Sequence, residues 1–206
     1  MKIPALRRIV VAFGTFFLVP HFVSMPFHLS QRIASELHYG FGAGVVAVGL
    51  YLLPVGVGVV RGAERRCAGR RYGGKWPFVA GTVMLALSSA LLAFVHTNRY
   101  EFVVWLFLLG AGFGLATGSA GVFITELVEA DKTGVANAFN RLARLICGGI
   151  GARIAAALIK SQSLPGSHAV RESAFMIAFG VSALLALIAA GLLLLIPSGK
   201  NAEAGR

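Results

Sequence analysis

The feature that most restricts the fold is a short, strongly basic segment between two long apolar stretches. The apolar stretches cover residues 40–60 and 77–95, and residues 61–76 between them read RGAERRCAGRRYGGKW. Six of the chain's 19 Lys and Arg residues lie in this segment: Arg61, Arg65, Arg66, Arg70, Arg71 and Lys75. Basic loops of this kind remain on the cytoplasmic side of a membrane while the apolar helices beside them cross it. The pattern therefore predicts a helical membrane protein.

The composition agrees with that prediction. The chain has 206 residues, of which 57% are hydrophobic and only 13% charged, whereas a soluble domain carries about 25% charged residues. A helix needs about 20 apolar residues to cross a bilayer. We predict an all-α polytopic protein that forms one six-helix bundle over residues 1–206, with a cytoplasmic basic loop at 61–76 and a cytoplasmic tail at 197–206. The six predicted spans cover residues 9–27, 40–60, 77–95, 102–125, 134–159 and 174–196.

The net charge of +11 follows from topology and gives no reason to expect nucleic-acid binding, because the basic residues cluster in short loops at the ends of apolar spans. With the N-terminus in the cytoplasm, fourteen Lys and Arg residues fall on the inner side and four on the outer side. This bias predicts that both termini are cytoplasmic. We expect an integral protein of the cell (inner) membrane, with the lipid bilayer as its first partner.

Two spans carry unusual features. The first could be a cleaved signal peptide, but no small-x-small cleavage site follows its apolar region, so we expect a retained span. The fifth contains Asn137, Asn140, Arg144 and Arg153, and charged groups are costly within a bilayer. We expect the fifth helix to insert with help from its neighbours and to line a polar region.

No motif for catalysis or for a cofactor is present. The sequence lacks a phosphate-binding GxxxxGK[ST] loop, an HExxH pair and a GxSxG turn, each of which places reactive groups at a required spacing. No carboxylate falls at mid-membrane depth. His21 lies deep within the first span and either relays protons or is a neutral histidine bonded to a neighbouring helix. We expect neither an enzyme nor a bound cofactor or metal.

Glycine patterns indicate where helices approach closely. Gly110, Gly114 and Gly118 form two overlapping GxxxG patterns in the fourth span, and the fifth contains Gly148, Gly149 and Gly151. Small residues allow the backbones of membrane helices to come together. We predict packing roles for these six glycines, with gating hinges as the alternative.

Several of these residues resemble motifs of the major facilitator superfamily. The segment from Arg70 to Gly81, with Arg71, Tyr72, Gly73 and Lys75, is similar to the loop motif of that family, although Arg70 stands where the motif has aspartate. The glycine-rich fourth span and the segment VEADKTGVANA at residues 128–138 resemble later parts of the same fold. In order and spacing, these motifs resemble the C-terminal six-helix half of drug:proton antiporters.

The resemblance implies a half-length transporter for multidrug or small-molecule efflux. Such a protein works by alternating access driven by an ion gradient, with a second six-helix bundle from a separate chain or from self-association. The alternative is a non-transporting paralogue or helper that packs against another transporter. The resemblance implies that Arg70, Arg71, Gly73 and Lys75 form a gate loop. It also gives His21, Phe22, Asn137, Asn140 and Arg144 as candidates for the transport path of a small-molecule substrate.

Overall fold

The computed structural model describes residues 41–68, 73–95, 98–128, 130–161 and 172–196. Five α-helices occupy these ranges: α1 (Val45–Ala68), α2 (Lys75–Phe94), α3 (Arg99–Leu127), α4 (Thr133–Ser161) and α5 (Glu172–Leu194), with a 3₁₀ turn, Ala130–Lys132, before α4. They correspond to the second to sixth predicted spans, and the all-α prediction is confirmed. The first span with His21 and Phe22, the loop residues Arg70 and Arg71, and the tail lie outside the described residues.

The basic segment is organised differently from the prediction. Helix α1 continues through Arg61 to Ala68, and α2 begins at Lys75, so only residues 69–74 separate the two helices. Arg, Glu and Ala all have good helix propensity. Charge therefore marks where the apolar part of α1 ends but does not end the helix, and Lys75 belongs to α2 instead of to the loop.

Four of the described helices are long and apolar enough to cross a membrane: α2, α3, α5 and, in α1, the part Val45–Glu64. Helix α4 has 29 residues and carries polar and charged residues along its length. The chain is an integral membrane protein.

The core lies where α2, α3 and α5 meet. Phe78, Phe102, Phe123 and Phe175 are almost completely buried, and the rings of Phe78 and Phe123 meet edge to face at 6.2 Å between centroids. Such aromatic pairs add to the stability gained by packing. The core thus fastens α2 to α3 on one side and to α5 on the other.

Most of the described buried hydroxyl groups are bonded within their own helix, whereas Ser89 Oγ has no partner. Thr82 donates to the carbonyl of Phe78 at 2.8 Å, and Ser182 donates to that of Ala178 at 2.7 Å. An unbonded hydroxyl in apolar surroundings is costly, and a bond to the preceding turn removes that cost. These positions therefore act as small core residues and not as polar sites.

Candidate functional site

Helix α4 separates its residues into two faces. Its inward stripe, which we define as Ala136, Asn137, Asn140, Ala143, Cys147 and Gly151, is buried or half-buried. Its outward face carries large apolar side chains that are 45–75% exposed: Val135, Phe139, Leu142, Leu145, Ile146, Ile150 and Ile154. A soluble helix buries its apolar face, and α4 does the reverse. This arrangement suits a helix with lipid on one side and polar surroundings on the other.

Asn140 is the polar centre of the inward stripe. Its side chain is only 8% exposed, and its Oδ1 atom has no hydrogen-bond partner. Asn137, one turn nearer the start of α4, is half-buried and lies beside α3, since a Cβ built on Gly121 would be 3.9 Å from its Oδ1. The structure therefore brings two of the predicted transport-path residues onto one face. Arg144 follows Asn140 by four residues, so its backbone lies on that face too, while its side chain is outside the described residues.

The helix ends at Ala68, Lys75, Leu127, Thr133 and Leu194 form what we call the basic end of the bundle. Here Lys75 is buried at the start of α2, and its Nζ donates to the carbonyl oxygens of Leu194, at 3.1 Å, and Ile196. A cation stabilises the carbonyl end of a helix through hydrogen bonds and the helix dipole. Lys75, which the resemblance placed in a gate loop, thus binds α2 to the end of α5 within its own bundle.

A complementary contact joins α3 to the start of α2. The backbone N–H of Gly74 donates to Glu126 Oε1 at 2.8 Å, which places a carboxylate at the amino end of α2, where negative charge is favoured. The preceding residue, Gly73, has φ +74, a backbone conformation that glycine adopts without steric cost. Glu126 and Gly74 are 52 residues apart in the sequence, so no local sequence pattern indicates this contact.

Gly110 and Gly114 of α3 lie against α1. A Cβ at Gly110 or Gly114 would be 2.8 Å from the carbonyl carbon of Val55 or Val59, respectively, and closer still to the oxygen. In α1, Gly58 and Gly62 make equally close approaches to the backbone around Ala111. Gly58 and Gly62 also have GxxxG spacing in the sequence, but they were not among the residues predicted to pack. Gly118 is half-buried.

The three glycines predicted to pack in α4 do not share a face. Gly151 is buried and Gly148 is half-buried, whereas Gly149 is exposed with nothing within 4 Å of a built Cβ. Because each helical residue turns by about 100°, neighbouring glycines at 148 and 149 point to different sides. Gly149 therefore makes no close helix contact within the described part of the chain, and its packing role stays a prediction.

Aromatic residues gather at the opposite end of α1 and α3. The Phe41 ring stacks on Tyr51 at 5.8 Å and meets Phe102 edge to face at 5.4 Å. The Arg99 guanidinium lies 5.6 Å from the Phe41 ring centroid, within cation–π range. This cluster holds the entry to α1 against α3, and so the two helices are joined at this end as well as along their glycines.

Comparisons with known protein families and solved structures agree with this helical membrane architecture. The family model described as Major Facilitator Superfamily matches residues 66–206. A solved structure titled as the proton:xylose symporter XylE bound to 6-bromo-6-deoxy-D-glucose is similar with a TM-score of 0.73 and 17% identity, over 95% of this chain and 44% of that one. A second, titled D-xylose-proton symporter, gives 0.72 and 18%, over 97% and 49%. No curated protein sequence matches. The chain spans less than half the length of either solved structure.

Proposed function

The chain belongs to the major facilitator superfamily, and we propose that it forms one six-helix half of a transporter that moves small solutes by alternating access. In that mechanism two bundles rock about a site near the middle of the membrane. The observation that carries the proposal is the division of α4 into an inward stripe with Asn137 and Asn140 and an outward apolar face. A helix that only filled space in lipid would not need to bury amides.

A second bundle completes the transporter in this proposal. The length of the chain relative to the similar structures supports it, since the match covers 44% and 49% of those chains. The second bundle is another protein, a second copy of this chain or a further part of a longer chain. The basic end then faces the cytoplasm, with both chain termini on that side, and the segment from Arg70 to Gly73 contributes to the inner gate.

The similar structures also bear on how transport by this chain is driven. Both similar structures are titled as proton symporters, and we extend ion-driven transport to this chain on that likeness. The drug:proton antiporter branch, which the loop and glycine motifs suggested, receives no support from these comparisons. We therefore propose a solute transporter without assigning it to multidrug efflux.

Uptake into proteoliposomes tests the proposal. The purified full chain is reconstituted alone and together with any six-helix protein that co-purifies with it, and entry of radiolabelled neutral, cationic and anionic solutes is followed with and without a pH gradient. Saturable uptake above that of empty liposomes supports transport. If no solute enters faster than into empty liposomes in either preparation, the chain is not a transporting half.

We propose as a second function that of a helper which packs against a complete transporter, and the match over 44% and 49% of the similar chains is compatible with it. This function predicts stable co-purification with a full-length family member whose uptake rate changes when the helper is removed. Uptake by the purified chain in the absence of any other protein would argue against the helper function.

A further inference from the structure

The outward face of α4 contains a charged residue among its large apolar side chains. Arg153 is exposed, and three neighbours on that face, Ile146, Ile150 and Ile154, are 45–54% exposed. We call these four residues the Arg153 patch. Within the part of the chain that the structure describes, no hydrogen bond or ion pair joins Arg153 to another residue. An arginine in apolar surroundings requires a counter-charge, and the described bundle does not supply one.

The position of Arg153 along α4 corresponds to the interior of a bilayer, because α4 is the predicted fifth span. Arg153 precedes Ser161, the last residue of the helix, by eight residues, which is about 12 Å along the axis. A helix of 29 residues is about 43 Å long and the hydrocarbon region about 30 Å thick, so the Arg153 backbone of a centred α4 lies about 5 Å inside that region. Long side chains of a helix lean toward its first residue. Arg153 is therefore directed toward the middle of the bilayer and away from the nearer surface.

Arg141 has the opposite arrangement on the same helix. It follows Thr133, the first residue of α4, by eight residues and is exposed as well. The lean toward the first residue directs Arg141 to the nearer membrane surface, where a long basic side chain reaches water and lipid headgroups. A lipid phosphate therefore suits Arg141 but lies on the wrong side of Arg153. The anion that neutralises Arg153 has to come from a protein.

A second copy of this chain does not supply that anion. Glu101 and Glu172 lie in the first turns of α3 and α5, at the same end of the bundle as Ser161, whereas Arg153 is about two turns further in. The other described acidic residues lie at or near the basic end: Glu64, Glu126 and Asp131. Two copies with the same basic end insert in the same orientation, so their symmetry axis follows the membrane normal and every residue keeps its depth. Neither copy then brings a described carboxylate to the depth of Arg153.

We propose that the Arg153 patch contacts the second bundle, and that the facing helix of this bundle carries an aspartate or glutamate at the depth of Arg153. The inference rests on the proposed transport function, which requires a second bundle. It identifies that bundle as another protein or a further part of a longer chain, and not as a copy of residues 1–206. Gly149, one turn before Arg153, is exposed with nothing within 4 Å of a built Cβ, which leaves room for the facing helix to approach.

Photo-crosslinking in intact membranes tests the proposal. The photoreactive residue p-benzoyl-phenylalanine replaces Ile150 in the tagged full chain, which is expressed in its own host cells, irradiated and purified under denaturing conditions. Mass spectrometry then identifies the crosslinked peptides. We expect peptides of a membrane helix from outside residues 1–206 that contains an aspartate or glutamate. Peptides from within residues 1–206, adducts with lipid alone, or no adduct overturn the proposal.

Arg153→Leu, combined with the same photoreactive residue, tests the charge. The crosslink yield should fall at least about tenfold, because removing one partner of a buried charge pair leaves the other unpaired. Arg141→Leu is the matched control, since it makes the same change at the same distance from the other end of α4, and should leave the yield unchanged. Leucine enters a bilayer more readily than arginine, so poor insertion does not explain a loss in Arg153→Leu. Equal yields in the two variants refute the role of the charge.

A charge exchange identifies the carboxylate. Arg153→Glu should abolish the crosslink, and replacing the facing aspartate or glutamate by arginine in the same cells should restore it. Absence of restoration at every acidic residue of the crosslinked helix contradicts the pairing.

Crosslinking and uptake separate the two proposals. A crosslink that depends on Arg153, without uptake by any preparation, leaves this interface standing and refutes transport by the chain. Saturable uptake by the purified chain alone, together with crosslinks between its copies, supports transport and refutes this interface.

Discussion

Helices α3 and α4 have the same length, 29 residues each, but they are held in opposite ways. Helix α3 meets α1 through glycines, meets α2 through the core, and fastens the start of α2 with Glu126. Helix α4 contacts the described bundle mainly along one stripe of small and polar residues and leaves its large apolar side chains exposed. The comparison teaches that backbone contact makes α3 the structural centre, whereas α4 retains polar groups that packing alone does not require.

The largest expected effect comes from breaking the glycine contact of α3. In Gly114→Ala the new methyl group overlaps the Val59 carbonyl group, so α1 and α3 must separate. We expect a loss of about 2–3 kcal/mol in the free energy of unfolding, as for other overpacked sites. Thermal unfolding of the purified protein measures it.

Gly149→Ala provides the matched control in α4. Nothing lies within 4 Å of a built Cβ there, and alanine favours helix over glycine by up to about 1 kcal/mol. The same substitution should therefore lower Tm in α3 and leave it unchanged or raised in α4. Equal losses at both positions would refute the contrast between the two helices.

A smaller effect is expected from Lys75→Met, which keeps the apolar stem and removes the ammonium group. The carbonyls of Leu194 and Ile196 then lose their donor, and hydrogen bonds that involve a charged group contribute about 1.5–3 kcal/mol. Hydrogen exchange should become faster in the last turn of α5. Arg141→Met, at an exposed position of α4, is the control, and unchanged exchange in Lys75→Met would argue against the contact.

The smallest effect is expected from Glu126→Gln, which retains an acceptor for Gly74 but removes the charge. A charge at a helix end contributes about 0.3–1 kcal/mol, so Tm should fall slightly, and the fall should shrink as salt concentration rises. Glu64→Gln is the control because Glu64 is 63% exposed and lies 3.9 Å from Arg61, a surface pair of little energetic value. An equal fall in both variants would show that no specific helix-end contact is lost.

The sequence identified some parts of this architecture for clear physical reasons. Apolar length predicted helices, and glycines four residues apart in the fourth span predicted a close helix approach, because both signals are local and periodic. The prediction ended the second span at residue 60, where the basic segment begins, whereas α1 continues to Ala68. The prediction also gave Gly148, Gly149 and Gly151 one common packing role, without taking into account that neighbouring residues point to different sides of a helix.

Contacts between distant residues required the structure. Lys75 and Leu194 are 119 residues apart, and Gly74 and Glu126 are 52 apart. A lysine in a basic segment has the same local surroundings whether it faces a gate, a lipid headgroup or a helix end. Only the folded bundle shows that this one is buried against two carbonyl oxygens.

By itself, the sequence determined that the protein is helical and membrane-embedded, because the bilayer requires long apolar segments whose backbone groups bond within the segment. It also singled out Asn137 and Asn140 as polar residues in an apolar setting. The tertiary structure decided which helix each glycine touches, which helix end each charge stabilises, and which buried amide has no partner. Those outcomes depend on contacts between residues that are far apart in the sequence. No local sequence pattern indicates such contacts.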